Sequence, residues 1–280
     1  MTVLIEASQT LEIERSEEPS TSRLRIHGTA RPQSSRQRLG WGAAPTTDTS
    51  KLVKVSIPVA EIYAAPAMTQ SLADDSFIDL GAWLTESVNI AFASKEGTAF
   101  VSGDGVLKPR GFLTYDLDNA DDFTRTWGKL QYVATGATSP SAVQLADAIV
   151  ALSVKLRAPY RASATWLMNR DTMRIVRQLK DTSFGLLLWS TDGRIVDGIP
   201  DRLLGFPVAV CEDMPSAGAS ALPIEFGDFQ QGYQIVDRLG VRILRDPFTA
   251  RPFIIMYCTK RVGGDVTDGN AIKLLRYSTN

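Results

Sequence analysis

The 280-residue chain contains few of the residues from which catalytic and metal sites are usually built. His27 is its one histidine, so a site with two histidine ligands cannot form within one chain, and a Ser-His-Asp triad would have to use this residue. Its two cysteines, Cys211 and Cys258, lie far apart in apolar stretches, a pattern that favours reduced, buried thiols over a disulfide. We therefore predict no metal site, no cofactor and no catalytic residue.

Long apolar runs and an excess of one charge are also missing. No apolar run approaches the roughly 20 residues of a membrane-spanning helix, and the N-terminus lacks the apolar segment of a secretory signal. The 30 basic and 31 acidic side chains give a net charge of −1, which argues against a dedicated nucleic-acid-binding protein but not against one that lies near nucleic acid. We expect a soluble protein made in the cytoplasm, without a membrane partner.

The chain does have enough apolar residues, 44% of the total, to bury a core of one large domain or two modest ones. Its first fifty residues are instead patterned in charge. The charged side chains of residues 1–22 are all acidic apart from Arg15, and residues 19–47 contain arginines and no acidic residue. Either both segments are simply solvated, or each segment pairs with the oppositely charged segment of a neighbouring copy of the chain. The second interpretation predicts inter-subunit contacts at Glu12, Glu14, Glu17, Glu18, Arg23, Arg25, Arg31, Arg36 and Arg38.

Two segments of the first third have clear periodicity. Apolar residues from Val53 to Val59 alternate with Lys54, Ser56 and Pro58, which predicts a strand. Because proline cannot donate a backbone hydrogen bond, we expect this strand at a sheet edge or in a projecting hairpin with residues 23–28. Apolar residues at three- and four-residue steps then predict a helix from about 75 to 99, with Ser71 and Asp74 as a capping box. Trp83 and Ile90 lie off its apolar stripe and indicate a second contact surface. Next comes a chain-reversing turn, Gly103-Asp104-Gly105, without the Lys-Ser/Thr of a phosphate-binding loop.

The second half alternates helices and strands. Ser139-Pro140 predicts the start of a helix that stops at Pro159, and Asn169 predicts the cap of a short helix. Leu239-Gly240 predicts the turn of a β-hairpin, and because most late strands follow short turns, the pattern favours an α+β fold. The remaining predicted strands cover residues 164–168, 206–211, 223–226, 233–236, 241–244, 253–259 and 272–277. Adjacent acids at 74–75, 121–122 and 212–213 are interpreted as helix starts or solvated loops.

Four stretches, in the same order, resemble the major capsid protein of tailed bacteriophages with the HK97-type fold, including the capsid proteins of gene transfer agents. They are Glu86–Leu113, with Ala-Ser-Lys-Glu-Gly at 93–97, the Gly-Asp-Gly turn and Pro-Arg-Gly-Phe-Leu at 109–113; residues 166–181; Leu-Gly-Phe-Pro-Val at 204–208 with Glu-Asp-Met-Pro at 212–215; and residues 226–247. The resemblance covers about residues 50–280.

This resemblance implies an α+β capsid fold with four parts. An N-terminal arm would comprise residues 1–22 and an extended loop, a β-hairpin, residues 23–63. The peripheral domain, with the long spine helix, would comprise residues 64–140 and 232–262, and the axial domain residues 141–231 and 263–280. Because a scaffolding domain that often precedes the arm in this family is not seen, we expect that it has been removed or is supplied separately.

The resemblance also implies the function: self-assembly into hexamers and pentamers of an icosahedral or prolate virion capsid that encloses packaged double-stranded DNA. The expected partners are other copies, portal, scaffold or decoration proteins, and DNA bound without sequence specificity, with synthesis in the bacterial host cytoplasm. Three alternatives remain: an encapsulin-like protein nanocompartment shell, a tail or decoration protein, and an unrecognised enzyme.

Overall fold

The computed structural model describes residues 23–28, 53–75, 79–179 and 202–279. The predicted arm, residues 1–22, and residues 29–52 of the predicted extended loop lie outside the described residues. The described strands are β1 Arg23–Gly28, β2 Val53–Ala64, β3 Ala67–Thr69, β4 Leu117–Asp118, β5 Leu130–Ala134, β6 Thr165–Met168, β7 Arg202–Leu203, β8 Phe206–Val210, β9 Ile224–Gly227, β10 Tyr233–Asp246, β11 Phe253–Val266 and β12 Ile272–Arg276. The described helices are α1 Gln70–Asp75, α2 Leu80–Ser102, α3 Ala142–Lys155, α4 Ala158–Arg161, α5 Arg170–Arg177 and α6 Phe229–Gly232, with a 3₁₀ turn at Phe112–Thr114.

Five of the described strands form one sheet in the order β1-β2-β11-β10, with β3 also paired to β11. The predicted pairing of residues 23–28 with the following strand is confirmed, because β1 and β2 are antiparallel from Arg23 opposite Pro58 to Gly28 opposite Val53. From Val59 onward β2 pairs with β11 instead. Each half of β2 thus has one neighbour, and Pro58 lies at the changeover, where a missing N–H is tolerated.

The predicted hairpin turn at Leu239-Gly240 is wrong. These residues lie inside β10, which runs antiparallel to β11 from Tyr233 to Asp246 and whose register shifts on either side of Leu239. Such bulges bend and twist a strand without ending it. The chain reverses later, between Asp246 and Phe253, so the five-stranded sheet is longer than the sequence predicted.

The long helix begins later and ends later than predicted. Asp79 caps α2 by accepting a hydrogen bond from the Ala82 N–H, and the helix runs over 23 residues, about 35 Å, to Ser102. Ser71, which the sequence assigned to a capping box, lies within the separate short helix α1.

The other seven described strands form a mixed sheet in the order β4-β5-β12-β9-β6-β8-β7. Helix α3 covers one face through Leu145, Ala148, Ile149 and Leu152, as its periodicity predicted. It begins at a capping box formed by Ser141 and not at Ser139-Pro140, and it ends at Lys155, before Pro159. Strands β4 and β5 belong to this sheet, although the expected domain division places residues 64–140 with the peripheral domain.

Each face of the seven-stranded sheet has its own apolar core. On the α3 face the rings of Trp166 and Phe226 stack with centroids 4.2 Å apart, and the Trp166 indole N–H donates to the Leu203 carbonyl at 2.9 Å. Ile272 and Leu274, which alternate with the residues of the α3 face, belong to the second core. The sheet is therefore buried on both sides.

Three charged side chains are buried on the α3 face of the seven-stranded sheet. The Lys273 ammonium on β12 is fully buried and donates to Oδ1 of Asp122, which also accepts from Arg125 at 2.8 Å. Arg125 in turn donates to Oδ1 of Asn270 at 2.7 Å. Asp122 is 7% exposed, so its interpretation as part of a solvated loop is wrong. Burial lowers the pKa of Lys273 to about 8 despite the neighbouring Asp122 carboxylate.

Glu225 on β9 is a buried carboxyl group on the opposite face. It pairs in register with Leu274 and Leu167, its side chain is fully buried, and neither carboxyl oxygen has a hydrogen-bond partner among the described residues. Burial raises the pKa of this carboxyl well above its ordinary value of 4.5 because nothing compensates the charged form.

We expect Glu225 to make the folded chain less stable as the pH rises. Between the pKa of Glu225 in the unfolded chain and its higher pKa in the folded chain, the native state binds more protons than the unfolded state. The contribution of Glu225 to the free energy of unfolding is therefore complete below the unfolded-state pKa. It is lost, at about 1.4 kcal/mol per pH unit, as the pH rises to the folded-state pKa. In Glu225→Gln this dependence disappears. Thermal unfolding of both proteins from pH 4.5 to 7.5 measures it: the midpoints should diverge as the pH rises, in favour of the variant. Parallel curves would contradict the assignment.

Candidate functional site

The Gly103-Asp104-Gly105 turn follows directly on α2. Asp104 pairs with Arg110 in an antiparallel bridge, and its Oδ1 accepts a hydrogen bond from the Val106 N–H at 2.9 Å. This hydrogen bond lowers the pKa of the Asp104 carboxyl. Gly105 has φ +78°, the left-handed region that favours glycine. The role of these three residues is thus to reverse the direction of the chain after α2, and they do not form a binding site for an anion.

The loop after this turn is held between α2 and the five-stranded sheet. The Arg110 N–H donates to the Gly264 carbonyl of β11 at 3.0 Å, and the Tyr233 hydroxyl of β10 donates to the Arg110 carbonyl at 2.8 Å. The Gly111 N–H donates to the Gly103 carbonyl at 2.8 Å. The motif that carried the family resemblance therefore joins the long helix to both long strands.

Helix α2 presents apolar side chains on two opposite faces. Val88 and Phe92 are buried and pack with Cys258 of β11. Trp83 and Ile90, which are seven residues apart and turned away from that face, are 56% and 65% exposed. A helix at a protein surface usually sets polar side chains opposite its buried face, so the second apolar face indicates a contact with another molecule.

The five-stranded sheet also has an apolar patch open to solvent on one face, beside the exposed Arg242 and the Glu61–Arg261 ion pair. Cys258 and its alternate neighbours face α2, whereas Leu244, Tyr257 and Tyr63 share the other face through their register. These three side chains are 65%, 43% and 69% exposed, and the two tyrosine rings stack with centroids 6.4 Å apart. A sheet face of this kind on a monomer is characteristic of an interaction surface.

A partly buried ion pair fixes α2 to the sheet between these two open faces. The Lys260 ammonium of β11 lies 2.8 Å from the Glu96 carboxylate of α2 and 3.4 Å from that of Asp237 on β10. Burial alone would lower the pKa of Lys260, but the two carboxylates outweigh it and the pKa is raised. The open faces of α2 and of the sheet thus belong to two elements that this ion pair joins.

The predicted contact residues are only partly described by the structure. Trp83 is exposed on α2. Arg23 and Arg25 lie on β1, which pairs with the part of β2 that extends beyond β11. The residues outside the described part of the chain are Glu12, Glu14, Glu17, Glu18, Arg31, Arg36 and Arg38. The sequence missed the open face with Tyr63, Tyr257 and Leu244, which depends on strand register and therefore leaves no local signal.

The structure offers little for metal or cofactor chemistry. Among the described residues no three His, Cys, Asp or Glu side chains are grouped to hold a metal ion. A cavity of about 450 Å³ lies beside β2, but its Asp265 and Asp268 carboxylates already accept hydrogen bonds from the hydroxyls of Tyr115 and Tyr160. In the described ranges, no helix is long and apolar enough to cross a membrane.

Comparison with known proteins identifies the family. The model of the Phage capsid family matches residues 11–277. The chain belongs to the phage capsid family. Its fold is the HK97-like α+β capsid fold, and a phage capsid shares it at low sequence identity: a chain of the capsid of Myoviridae Phage XM1 is 14% identical over 92% of this chain and 84% of that chain, with a TM-score of 0.54.

Capsid proteins of gene transfer agents (GTAs) are much more similar. A chain described as the capsid of an empty GTA particle, computed with C5 symmetry, is 38% identical to this chain. The alignment covers 99% of this chain and 95% of that chain, with a TM-score of 0.79. The capsid of the native GTA particle is 39% identical with the same coverage and TM-score. None of the curated proteins compared with this capsid-family chain matches it.

Proposed function

We propose that the chain is the major capsid protein of a phage-type or GTA-type particle, whose copies assemble into hexamers and pentamers of a closed icosahedral or prolate shell. The observation that carries the proposal is its 38% identity to a GTA capsid protein over 99% of the chain. The function is then physical and requires no catalytic residue. The shell encloses double-stranded DNA, and its subunits are made in the cytoplasm of a bacterial host.

The open apolar surfaces support assembly with identical copies. A shell subunit needs faces that are exposed in the monomer and buried by neighbours, and α2 with Trp83 and Ile90 and the sheet with Tyr63 and Tyr257 are two such faces. Burying a large apolar side chain contributes about 1.5–3 kcal/mol. Exposed ion pairs contribute only about 0–1 kcal/mol each, so apolar faces supply most of the association energy.

The expected division into arm, extended loop, peripheral domain and axial domain is part of this proposal. The paired strands β1 and β2, which extend beyond β11 from Pro58 onward, support an extended loop that reaches a neighbouring copy. The two sheets support a peripheral body built on α2 and an axial body built on the seven-stranded sheet. Because β4 and β5 join that second sheet, the axial body includes them.

A near-neutral chain also suits a container for DNA. A strongly basic wall would hold the duplex through many phosphate contacts and hinder its release, and the net charge of −1 avoids this. We propose that DNA is bound without sequence specificity, and that portal, scaffold or decoration proteins act with the shell.

Electron microscopy of the expressed protein tests the proposal. Closed shells, formed by the chain alone or after co-expression of scaffold proteins, are the expected result. Shells that enclose proteins instead of DNA would indicate a nanocompartment, rings or tubes would indicate a tail protein, and a monodisperse monomer at high concentration would contradict the proposal.

The acidic arm and the basic loop are proposed to pair between copies and to set their register. In Arg31→Glu with Arg36→Glu we expect particle yield to fall and to become sensitive to salt, because the acidic segment would meet like charges. Sedimentation of particles at two salt concentrations measures this, with circular dichroism as the check on subunit folding. Normal yield from the folded double variant would remove the pairing of arm and loop.

A further inference from the structure

Strand β10 is the outermost strand of the five-stranded sheet, and among the described residues no strand pairs with its free edge. An open edge presents unpaired backbone N–H and C=O groups, to which another extended chain can bind. Beyond its second register shift the strand pairs regularly with β11 from Arg242 to Asp246. We call residues 241–245 the edge segment.

The two faces of the edge segment differ in chemistry. Ile243 lies opposite Cys258, and Val241 packs in the same apolar cluster, so both side chains are on the α2 face of the sheet. Ile243 is nevertheless 42% exposed. Arg242 lies opposite Thr259 on the other face and is exposed. The edge segment therefore presents an apolar side chain on one face and a cation on the other.

Strand β10 as a whole carries positive charge that its own subunit does not neutralise. Its two aspartates are engaged, because Asp237 lies 3.4 Å from the Lys260 ammonium and Asp246 accepts a hydrogen bond from the Thr249 hydroxyl. Its three arginines are exposed and have no ion-pair partner in the part of the chain that the structure describes: Arg238, Arg242 and Arg245. The free edge therefore favours an acidic strand and disfavours a second β10, whose arginines would repel it.

The predicted arm contains a segment that matches this edge. Among the segments outside the described residues, residues 1–22 are the most acidic, with five glutamates against one arginine, whereas residues 29–52 are basic. Within the arm, residues 9–13 alternate as a strand does, with Leu11 and Ile13 on one face and Thr10 and Glu12 on the other. We call residues 9–13 the arm segment.

One register matches both faces at once. In an antiparallel pair with Glu12 opposite Arg242, the acid and the base share a face. The apolar pairs then lie together on the α2 face: Ile13 with Val241, and Leu11 with Ile243. A shift by one residue would move every side chain of the arm segment to the wrong face.

The parallel orientation is less favourable. With Glu12 again opposite Arg242, it would place Arg15 directly opposite Arg245. Like charges in directly opposed positions destabilise a strand pair. The charges of the two segments therefore select the antiparallel pairing.

We infer that the arm segment of one subunit adds an antiparallel strand to the edge segment of an adjacent copy, with Glu12 opposite Arg242. This inference rests on the proposed function and names one contact within it. The arm joins its own subunit at β1, at the other end of the strand order, so it would have to cross β2 and β11 to reach its own β10. Glu17 and Glu18 remain for the basic loop.

A disulfide tests both the contact and its register. Two chains with different tags are co-expressed, one with Glu12→Cys and the other with Arg242→Cys. Directly opposed residues of antiparallel strands are about 4.5–5.5 Å apart between Cα atoms, which a disulfide can span. Non-reducing gels of oxidised shells should show the cross-linked pair of chains. Each variant alone gives the background from Cys211 and Cys258.

Ile13→Cys in place of Glu12→Cys is the matched control. Its side chain lies on the opposite face from Arg242, so cross-linking should be about tenfold lower. Shells without the Glu12–Arg242 cross-link, or with equal cross-linking from both arm positions, would overturn the inference. With both cysteines on one chain, a link confined to single chains would overturn the adjacent copy as the partner.

Charge reversal tests the same contact without cysteines. Arg242→Glu should lower the particle yield about threefold or more, because a contact repeated around the shell changes from attraction to repulsion. Arg245→Glu makes the same charge change on the α2 face, opposite the uncharged Gln9, and should lower the yield less. Glu12→Arg together with Arg242→Glu should restore the yield, and circular dichroism checks folding.

Equal losses from the two arginine variants, or no rescue by the double variant, would overturn the pairing of Glu12 with Arg242. Only failure of the wild type to form shells would count against the proposed function itself.

Discussion

Asp122→Ala should destabilise the subunit by about 3–5 kcal/mol, because it leaves two buried cations without their shared carboxylate. The Lys273 side chain is fully buried and that of Arg125 is 1% exposed. Removing Asp122 makes Lys273 shed its proton inside the protein, at a cost that rises as the pH falls, while Arg125 stays charged. Urea unfolding at pH 7 measures the change, and the loss should be larger at pH 6 than at pH 8.

The neighbouring residue provides a matched control. Asp121 also accepts a hydrogen bond from a lysine, Lys155, at 2.5 Å, but its side chain is 65% exposed and that of Lys155 is 45% exposed. Asp121→Ala should therefore cost only about 0–1 kcal/mol. Equal losses from the two variants would show that burial does not decide the strength of the Asp122 cluster.

These buried charges mark the limit of what periodicity could predict. The pattern around Ile272, Lys273 and Leu274 is that of a half-exposed strand with its lysine in solvent. Lys273 is buried because residues far away in sequence, including Asp122, cover that face of the sheet. Glu225 between Ile224 and Phe226 has the same alternating pattern, although its side chain is fully buried. Alternation shows which residues share a face, but not whether another element covers it.

Local signals succeeded where the local interaction also decides the structure. The buried face of α3, the cap at Asn169 and the pairing of β1 with β2 all follow from spacing and side-chain type. Leu239-Gly240 indicated a turn, but the long pairing of β10 with β11 outweighs this preference. Trp83 and Ile90 lay off the predicted stripe of the long helix, and this mismatch was a correct sign of exposed apolar surface.

Gly111→Ala should prevent stable folding, because the backbone of α2 occupies the space that a side chain would need. A Cβ at Gly111 would lie 2.5 Å from the Ser102 nitrogen and from the Val101 carbonyl carbon, both in the last turn of α2. A Cβ at Gly103 would lie 2.5 Å from the Ala99 carbonyl oxygen and closer still to that of Pro109. Main-chain atoms cannot move aside without breaking the helix end, so the cost exceeds the roughly 1–3 kcal/mol of overpacking in an ordinary core.

Two further glycines distinguish close approach from backbone conformation. Gly105 has φ +78° and its Cβ would contact only the flexible Arg110 side chain, so Gly105→Ala should cost about 1–2 kcal/mol through strain. Gly240 in β10 has nothing within 4 Å of a Cβ, so Gly240→Ala should be neutral or slightly stabilising. Soluble yield and urea unfolding of the three variants should give the order Gly111, Gly105, Gly240 from most to least damaging. If Gly111→Ala were as stable as Gly240→Ala, the close contact of this motif with α2 would be wrong, and with it our physical account of why the family motif places a glycine there.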